Sequence, residues 1–329
     1  MNIPARTGPR VLVGIVVGIT TVIALMLLVF AAPVLSSGPR DLPLAVSGPD
    51  QATAMVTGTL QEAQPGAFEV TTYDSAEEAA DAITQRKAIG GIAVGAEGLT
   101  IQTASGAGAP YAALLQGLGG VMTAQGQQVT YVDLAPMTEA DPSGAGLATL
   151  GLPLIFGGLA SAAALVLAYR GPVTHRAVAA LVLSLVAGYT AAAIAQFGFG
   201  SFEGSYWLLG LAVAAGIAAI SLTGLGLGLL IGPAGIALAA VLMLFVANPI
   251  SGLATGPHWL PQPWGQLGQY LPLGAGGTAA RSAAYFNGSG ATLAWIVLGC
   301  WILAGLGLAL LGSRRQPQDT PTASGTYAD

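Results

Sequence analysis

Charged residues are scarce in this sequence, and its long apolar runs contain none. Asp, Glu, Lys and Arg account for 8% of 329 residues, whereas about 25% is usual in soluble proteins. Six runs lack these residues and histidine, and they cover residues 11–32, 147–169, 177–197, 207–225, 229–247 and 291–312. A helix of about 20 residues crosses a hydrocarbon core about 30 Å thick. The sequence therefore predicts a polytopic α-helical membrane protein with six transmembrane helices.

The sequence also lacks most of the groups that catalysis requires. Cys300 is the only cysteine, so no disulfide can form within the chain. Lys87 is the only lysine, and it does not lie in the Gly-rich pattern of a nucleotide-binding loop. Because the runs hold no ionisable group, proton-driven antiport is disfavoured. We predict no catalytic residue, no metal site and no cofactor, and any ATPase activity would belong to a partner chain.

The few basic residues predict the orientation of the chain. One side of the membrane receives six arginines close to the spans, namely Arg6, Arg10, Arg170, Arg176, Arg314 and Arg315. Only Arg40 and Arg281 flank the spans on the other side. Since cytoplasmic loops are enriched in Lys and Arg, we expect a bacterial plasma-membrane protein with both termini in the cytoplasm. Residues 1–10 are then a cytoplasmic N-terminus and 313–329 a disordered cytoplasmic tail.

The first run is interpreted as a retained transmembrane helix and not as a cleaved signal peptide. Residues 11–32 form a longer apolar stretch than the hydrophobic region of a signal peptide, which has about 7–15 residues.

Residues 33–146 predict a small extracytoplasmic α/β domain inserted between helices 1 and 2. The pattern of apolar residues gives the order β-α-β-α-β-β-α-β. Ser75 and Glu78 form a capping box, and the helix that it opens is predicted to end at Gly90-Gly91. This domain contains twelve acidic residues and three basic ones. We interpret them as a solvated surface.

Residues 147–312 form the predicted five-helix part, and residues 248–290 interrupt it before the last span. This stretch holds five prolines together with Trp259 and Trp264. Tryptophan prefers the headgroup level of a membrane, and proline prevents one continuous helix. We expect an interfacial segment of two short helices at the outer end of the bundle. Trp259, Trp264 and Arg281 are the candidate residues of an outer gate or lipid contact.

Small residues recur at the spacing of closely packed helices. Gly14 and Gly18 are one such pair in the first run, and glycines four apart let two helix backbones approach. The partner helix is either in the same chain or in a second copy.

Four stretches carry a resemblance to a known family: Val46-Ser-Gly-Pro-Asp-Gln51, Ala82–Gly91, Val132–Pro136 with Asp141–Gly144, and Leu271–Gly277 with Arg281–Phe286. Together with the order of the spans, they make the chain resemble type-2 ABC exporter permeases, including phage-infection-protein-like membrane proteins. The resemblance implies a homodimer or a heterodimer with another permease, driven by a cytoplasmic ATPase subunit.

The function expected from this resemblance is export of a hydrophobic or lipid-like substrate, with membrane lipid as a contact and no nucleic-acid partner. The loop between spans two and three would be the candidate ATPase contact, through Arg170, His175 and Arg176. The same loop is also explained by simple anchoring at the cytoplasmic face. The alternative function is a non-transporting receptor or envelope scaffold whose extracytoplasmic domain binds a ligand or partner.

Overall fold

The structure is a computed structural model that describes residues 8–315; residues 1–7 and 316–329, with Arg6 and most of the predicted tail, lie outside the described range. The protein is mostly helical. Its helices are α1 (Pro9–Leu35), α2 (Asp50–Ala63), α3 (Ala76–Thr84), α4 (Ala109–Ala124), α5 (Ala145–Thr149), α6 (Gly151–Leu167), α7 (Val173–Ala193), α8 (Tyr206–Ile231), α9 (Pro233–Val241), α10 (Trp264–Gly268), α11 (Pro272–Tyr285) and α12 (Thr292–Arg315). Its strands are β1 (Leu42–Ser47), β2 (Phe68–Tyr73), β3 (Gly90–Gly95), β4 (Gly98–Thr103) and β5 (Val129–Asp133).

The five strands and the helices among them form one unit, which we call the sheet domain (residues 42–133). The predicted element order is confirmed. The strands lie side by side as β2-β1-β3-β4-β5, and only the hairpin pair β3 and β4 is antiparallel. A core of apolar side chains, including Leu44, Ile92 and Ile101, fills the space between the sheet and its helices. This burial explains why the strands carry apolar residues.

The prediction that α3 ends at Gly90-Gly91 is wrong. The capping box itself is present, because the Ser75 hydroxyl accepts from the Glu78 N–H at 3.1 Å. The helix stops at Thr84, and Gly90 and Gly91 begin strand β3. A Cβ at Gly90 would lie 2.2 Å from a Leu115 methyl group. Glycine is therefore needed there for close packing of α4 on the sheet and not for the end of a helix.

Helix α8 is the centre of the remaining bundle. It is buried along most of its length and packs against α6, α7, α11 and α12. Glycines permit these close approaches: a Cβ at Gly226 would lie 2.6 Å from the Gly305 carbonyl oxygen on α12. One on Gly210 would lie 2.3 Å from the ring of Tyr189 on α7. The glycines of α8 therefore let this helix pack closely against other helices of the same chain.

Five helical stretches are long and apolar enough to cross a membrane: Val11–Leu35, Ala145–Leu167, Val173–Gly198, Tyr206–Ile231 and Thr292–Arg314. The predicted run 229–247 instead gives a 15-residue apolar helix, Pro233–Ala247, whose last turns are π-helical. At about 1.5 Å per residue its length is about 22 Å, which is short of a full hydrocarbon core. The gap between the predicted runs, residues 226–228, is not a break, because helix α8 continues to Ile231. The chain turns at Gly232, where φ is +71°, immediately before Pro233.

Helix α1 stands apart from the bundle. Most of its large apolar side chains are exposed, and it touches the π-helical segment Leu242–Ala247. A Cβ added at Gly14 or Gly18 would meet no atom within 4 Å. Within the described chain, this glycine pair therefore has no packing partner.

Residues 248–290, which we call the proline-rich segment, contain a 3₁₀ turn (Pro257–Trp259) and the two short helices α10 and α11. Nearly all of α11 is buried, and it packs against α8 and α12. This segment is therefore partly built into the bundle, and it does not lie wholly on its surface.

Candidate functional site

The sheet domain rests directly on the proline-rich segment. The ring of Tyr111, on α4, meets that of Trp259 edge to face, with 5.8 Å between centroids. Gly108, the residue before α4, also lies close to the proline-rich segment. A Cβ at this position would lie 2.4 Å from the Thr255 carbonyl oxygen. The candidate site is built at this contact, between two parts of the chain that are far apart in sequence.

Arg281 lies inside the protein. It is only 2% exposed, and its Nη2 donates to the carbonyl oxygens of Gly252 at 3.1 Å and Leu253 at 2.7 Å. Its Nε is buried without a hydrogen-bond partner. This arrangement ties helix α11 to the loop that precedes α10. The geometry places the predicted headgroup contact away from any surface that a headgroup could reach directly.

Arg86 is the functional candidate that sequence reasoning missed. It follows the end of α3 in a left-handed conformation, with φ +62°, a position that usually holds glycine. Its Nη1 donates to the Thr278 carbonyl oxygen on α11 at 3.1 Å, and its guanidinium lies 5.4 Å from the centroid of the Phe286 ring. Its side chain therefore crosses from the sheet domain to the proline-rich segment. A Cβ at Gly290 would collide with it at 2.9 Å.

The electrostatics around Arg86 are unusual because the charge that acts on it most is that of a second cation, Arg281. Burial lowers the pKa of Arg86 to about 10, and the charge of Arg281 adds to this shift. Within residues 8–315, no carboxylate contributes to the charges that act on either arginine. Burial raises the pKa of Tyr111 to about 12, so its phenol stays neutral near pH 7 and supplies no counter-charge. Arg86 therefore experiences the positive charge of Arg281, and no carboxylate of the described residues offsets it.

A pocket of about 210 Å³ opens beside Arg86. Its walls come from the proline-rich segment and from the first turn of α12, with His258, Gln269, Thr278 and Leu293 among them. The Gln269 side chain is held by the Ser251 carbonyl and the Thr278 hydroxyl. The Arg86 guanidinium and the exposed His258 ring are thus left as the groups that can meet a ligand.

The two tryptophans lie in different settings. Trp259 is half-buried against Tyr111, whereas Trp264 is 52% exposed. Trp264 borders an apolar groove of about 420 Å³ between α1 and the π-helical segment, which Leu28, Ala32, Val246 and Ile250 also line. A smaller and more polar pocket of about 250 Å³ adjoins it, with Ser37, Asn248 and Trp259 in its lining.

The three residues predicted to contact an ATPase differ in exposure: Arg170 lies between α6 and α7, whereas His175 and Arg176 lie in the first turn of α7. Arg170 and His175 are exposed, and the His175 Nδ1 lies 3.3 Å from the Tyr169 hydroxyl. Arg176 is only 6% exposed, and its Nε has no partner. Arg170 and His175 are therefore available to another protein, and Arg176 is a packed side chain of helix α7.

In the described part of the chain, no group of three or more His, Cys, Asp or Glu side chains is placed to hold a metal ion. Comparison with protein-family models, with curated proteins and with solved structures gives no match.

Proposed function

We propose that this chain is the membrane-spanning, permease-like subunit of an ABC-type exporter for a hydrophobic or lipid-like substrate, driven by a separate cytoplasmic ATPase. In this proposal both termini are cytoplasmic, the sheet domain is extracytoplasmic, and the short helix Pro233–Ala247 serves as the fifth of six spans. The proline-rich segment then lies at the outer end of the bundle.

The observation that carries this proposal is the apolar groove between α1 and the π-helical segment. Its walls are almost wholly apolar, whereas the adjoining pocket offers Ser37 and Asn248. An apolar groove with the polar groups of Ser37 and Asn248 close to it suits a molecule with an acyl chain and a polar head, since the chain meets an apolar surface and the head meets hydrogen-bonding groups. Helix α1 forms one wall and has few other contacts, so it is free to move aside.

Assembly with a second permease, either the same chain or a different one, is supported by the exposed faces of α1. Gly14 and Gly18 leave space for a neighbouring helix, and such spacing promotes helix association in membranes.

A bulky residue in the groove tests the proposal. The chain, reconstituted with its ATPase, should move a fluorescent short-chain lipid when ATP is supplied. Ala32→Trp should reduce that movement severalfold, because Ala32 lines the groove. Val16→Trp is the matched control on the same helix, where the side chain is exposed and away from the groove. Equal transport by both variants, or no ATP-dependent transport at all, would contradict the proposal.

A receptor or scaffold role is the second candidate, and one feature of the sheet domain favours it. An open pocket of about 370 Å³ lies between α2 and the end of α4, lined in part by Met55, Val56 and Met122. Met55 is 67% exposed. An exposed apolar surface of this kind is suited to a partner. Met55→Glu should leave transport unchanged if the exporter proposal is correct.

A further inference from the structure

The strongest unexplained feature of this protein is a buried cation, Arg281, with a half-buried cation, Arg86, acting on it, and no carboxylate of residues 8–315 supplies a counter-charge to either. Arg281 is almost fully enclosed, and Arg86 lies within reach of its field. Burying one unpaired charge costs free energy, and a second like charge acting on it adds to this cost. Such an arrangement is stabilised when an anion arrives.

The backbone conformation at Arg86 also supports an anion site. A left-handed conformation is unfavourable for an ordinary residue, and glycine would avoid this cost. The sequence nevertheless places an arginine there, and Gly290 leaves room for it. Unfavourable backbone conformations of this sort tend to occur where a side chain must be presented in one direction.

The pocket beside Arg86 supplies the space and the remaining donors. A guanidinium has five N–H groups, and one hydrogen bond from Arg86, to the Thr278 carbonyl, is formed within the described chain. His258 lines the same pocket and is an exposed residue. The first turn of the 24-residue helix α12, through Leu293 and Ala294, completes the wall. The N-terminus of a helix favours negative charge.

We propose that this pocket binds one phosphate group, with Arg86 as its principal ligand and His258 as a second donor. The phosphate comes either from a lipid headgroup or from free phosphate, because both present the same anionic oxygens to the guanidinium. The bound anion would join the sheet domain to the proline-rich segment and offset the charge of the two arginines. This inference does not depend on transport.

Thermal unfolding of the full-length chain tests the site. The protein is placed in phosphatidylcholine nanodiscs, and inorganic phosphate is added against chloride of equal ionic strength. A parallel series replaces part of the phosphatidylcholine with phosphatidylglycerol. We expect a saturable rise in the unfolding temperature. A rise with free phosphate identifies the free anion as ligand, and a rise with phosphatidylglycerol alone identifies the headgroup.

Variants separate this site from general charge effects. Arg86→Gln should weaken the apparent affinity roughly tenfold or more, since it removes charge-assisted hydrogen bonds. Lys87→Gln is the matched control, because it makes the same charge change at an exposed neighbour outside the pocket. Leu293→Glu is a second variant at a half-exposed position of the wall, and its carboxylate should abolish the anion effect by occupying the pocket.

The proposal is overturned if wild-type protein gains no more from phosphate or phosphatidylglycerol than from chloride and phosphatidylcholine. It is also overturned if Arg86→Gln and Lys87→Gln respond equally. Should Arg86→Gln not fold, an undiminished anion effect in Leu293→Glu would reject it.

Discussion

Arg281 shows how one buried side chain can organise a segment. Its two hydrogen bonds go to carbonyl groups of the loop before α10, and both groups would lose their partner in Arg281→Gln. We expect the free energy of unfolding to fall by about 2–3 kcal/mol, measured by thermal unfolding in detergent. Arg40 is an exposed arginine shortly before strand β1. Arg40→Gln should change the free energy of unfolding little. An unchanged free energy of unfolding in Arg281→Gln would mean that these hydrogen bonds contribute little to stability.

Arg170 and Arg176 should behave differently despite their proximity in sequence. Arg176→Glu buries a carboxylate in α7 and should lower the amount of folded protein. Arg170→Glu alters an exposed side chain, so the membrane level should stay normal while copurification of the proposed ATPase weakens. Affinity purification with quantified membrane levels distinguishes the two effects. Undiminished copurification in Arg170→Glu would assign the loop to membrane anchoring alone.

At the scale of elements, the contact between α8 and α12 depends on missing side chains. A Cβ at Gly305 would lie 2.5 Å from the Leu222 backbone, whereas one at Gly307 would meet nothing within 4 Å. Gly305→Leu should therefore cost about 1–3 kcal/mol through overpacking, and Gly307→Leu should cost far less. Thermal unfolding of both variants in the same detergent measures the difference. Equal values would show that the two helices can shift apart freely.

Much of the element pattern follows from sequence, and its exceptions have physical causes. The capping box at Ser75 and the alternating strands are local signals, so the order of the sheet domain was predictable. The end of α8 could not be predicted. The glycines at 226 and 228 suggest a helix break when the sequence is read alone, but in the structure they pack against neighbouring helices. Arg86 could not be found from sequence, since its partner Thr278 lies 192 residues away.

At the scale of the whole molecule, the orientation remains a prediction that labelling can test. In a Cys300→Ala background, cysteines at Glu77 and Gln266, both exposed, should react with an impermeant thiol reagent in intact cells. A cysteine at Gln316 should react only after the membrane is opened. Reaction at 316 in intact cells would reverse the proposed topology.

The sheet domain has two covalent connections to the membrane helices, and they are not equivalent. On the C-terminal side, the Asp133 carboxylate accepts from the Ser105 and Ala135 N–H groups. The Asp141 carboxylate accepts from the Ala145 and Gly146 N–H groups at the start of α5, at 2.8 Å and 2.7 Å. Helix α1, at the other connection, is largely unattached to the bundle. A torque applied to the sheet domain would therefore reach the bundle through α5 and α6, and through the contacts of Arg86 and Tyr111 with the proline-rich segment, and only weakly through α1.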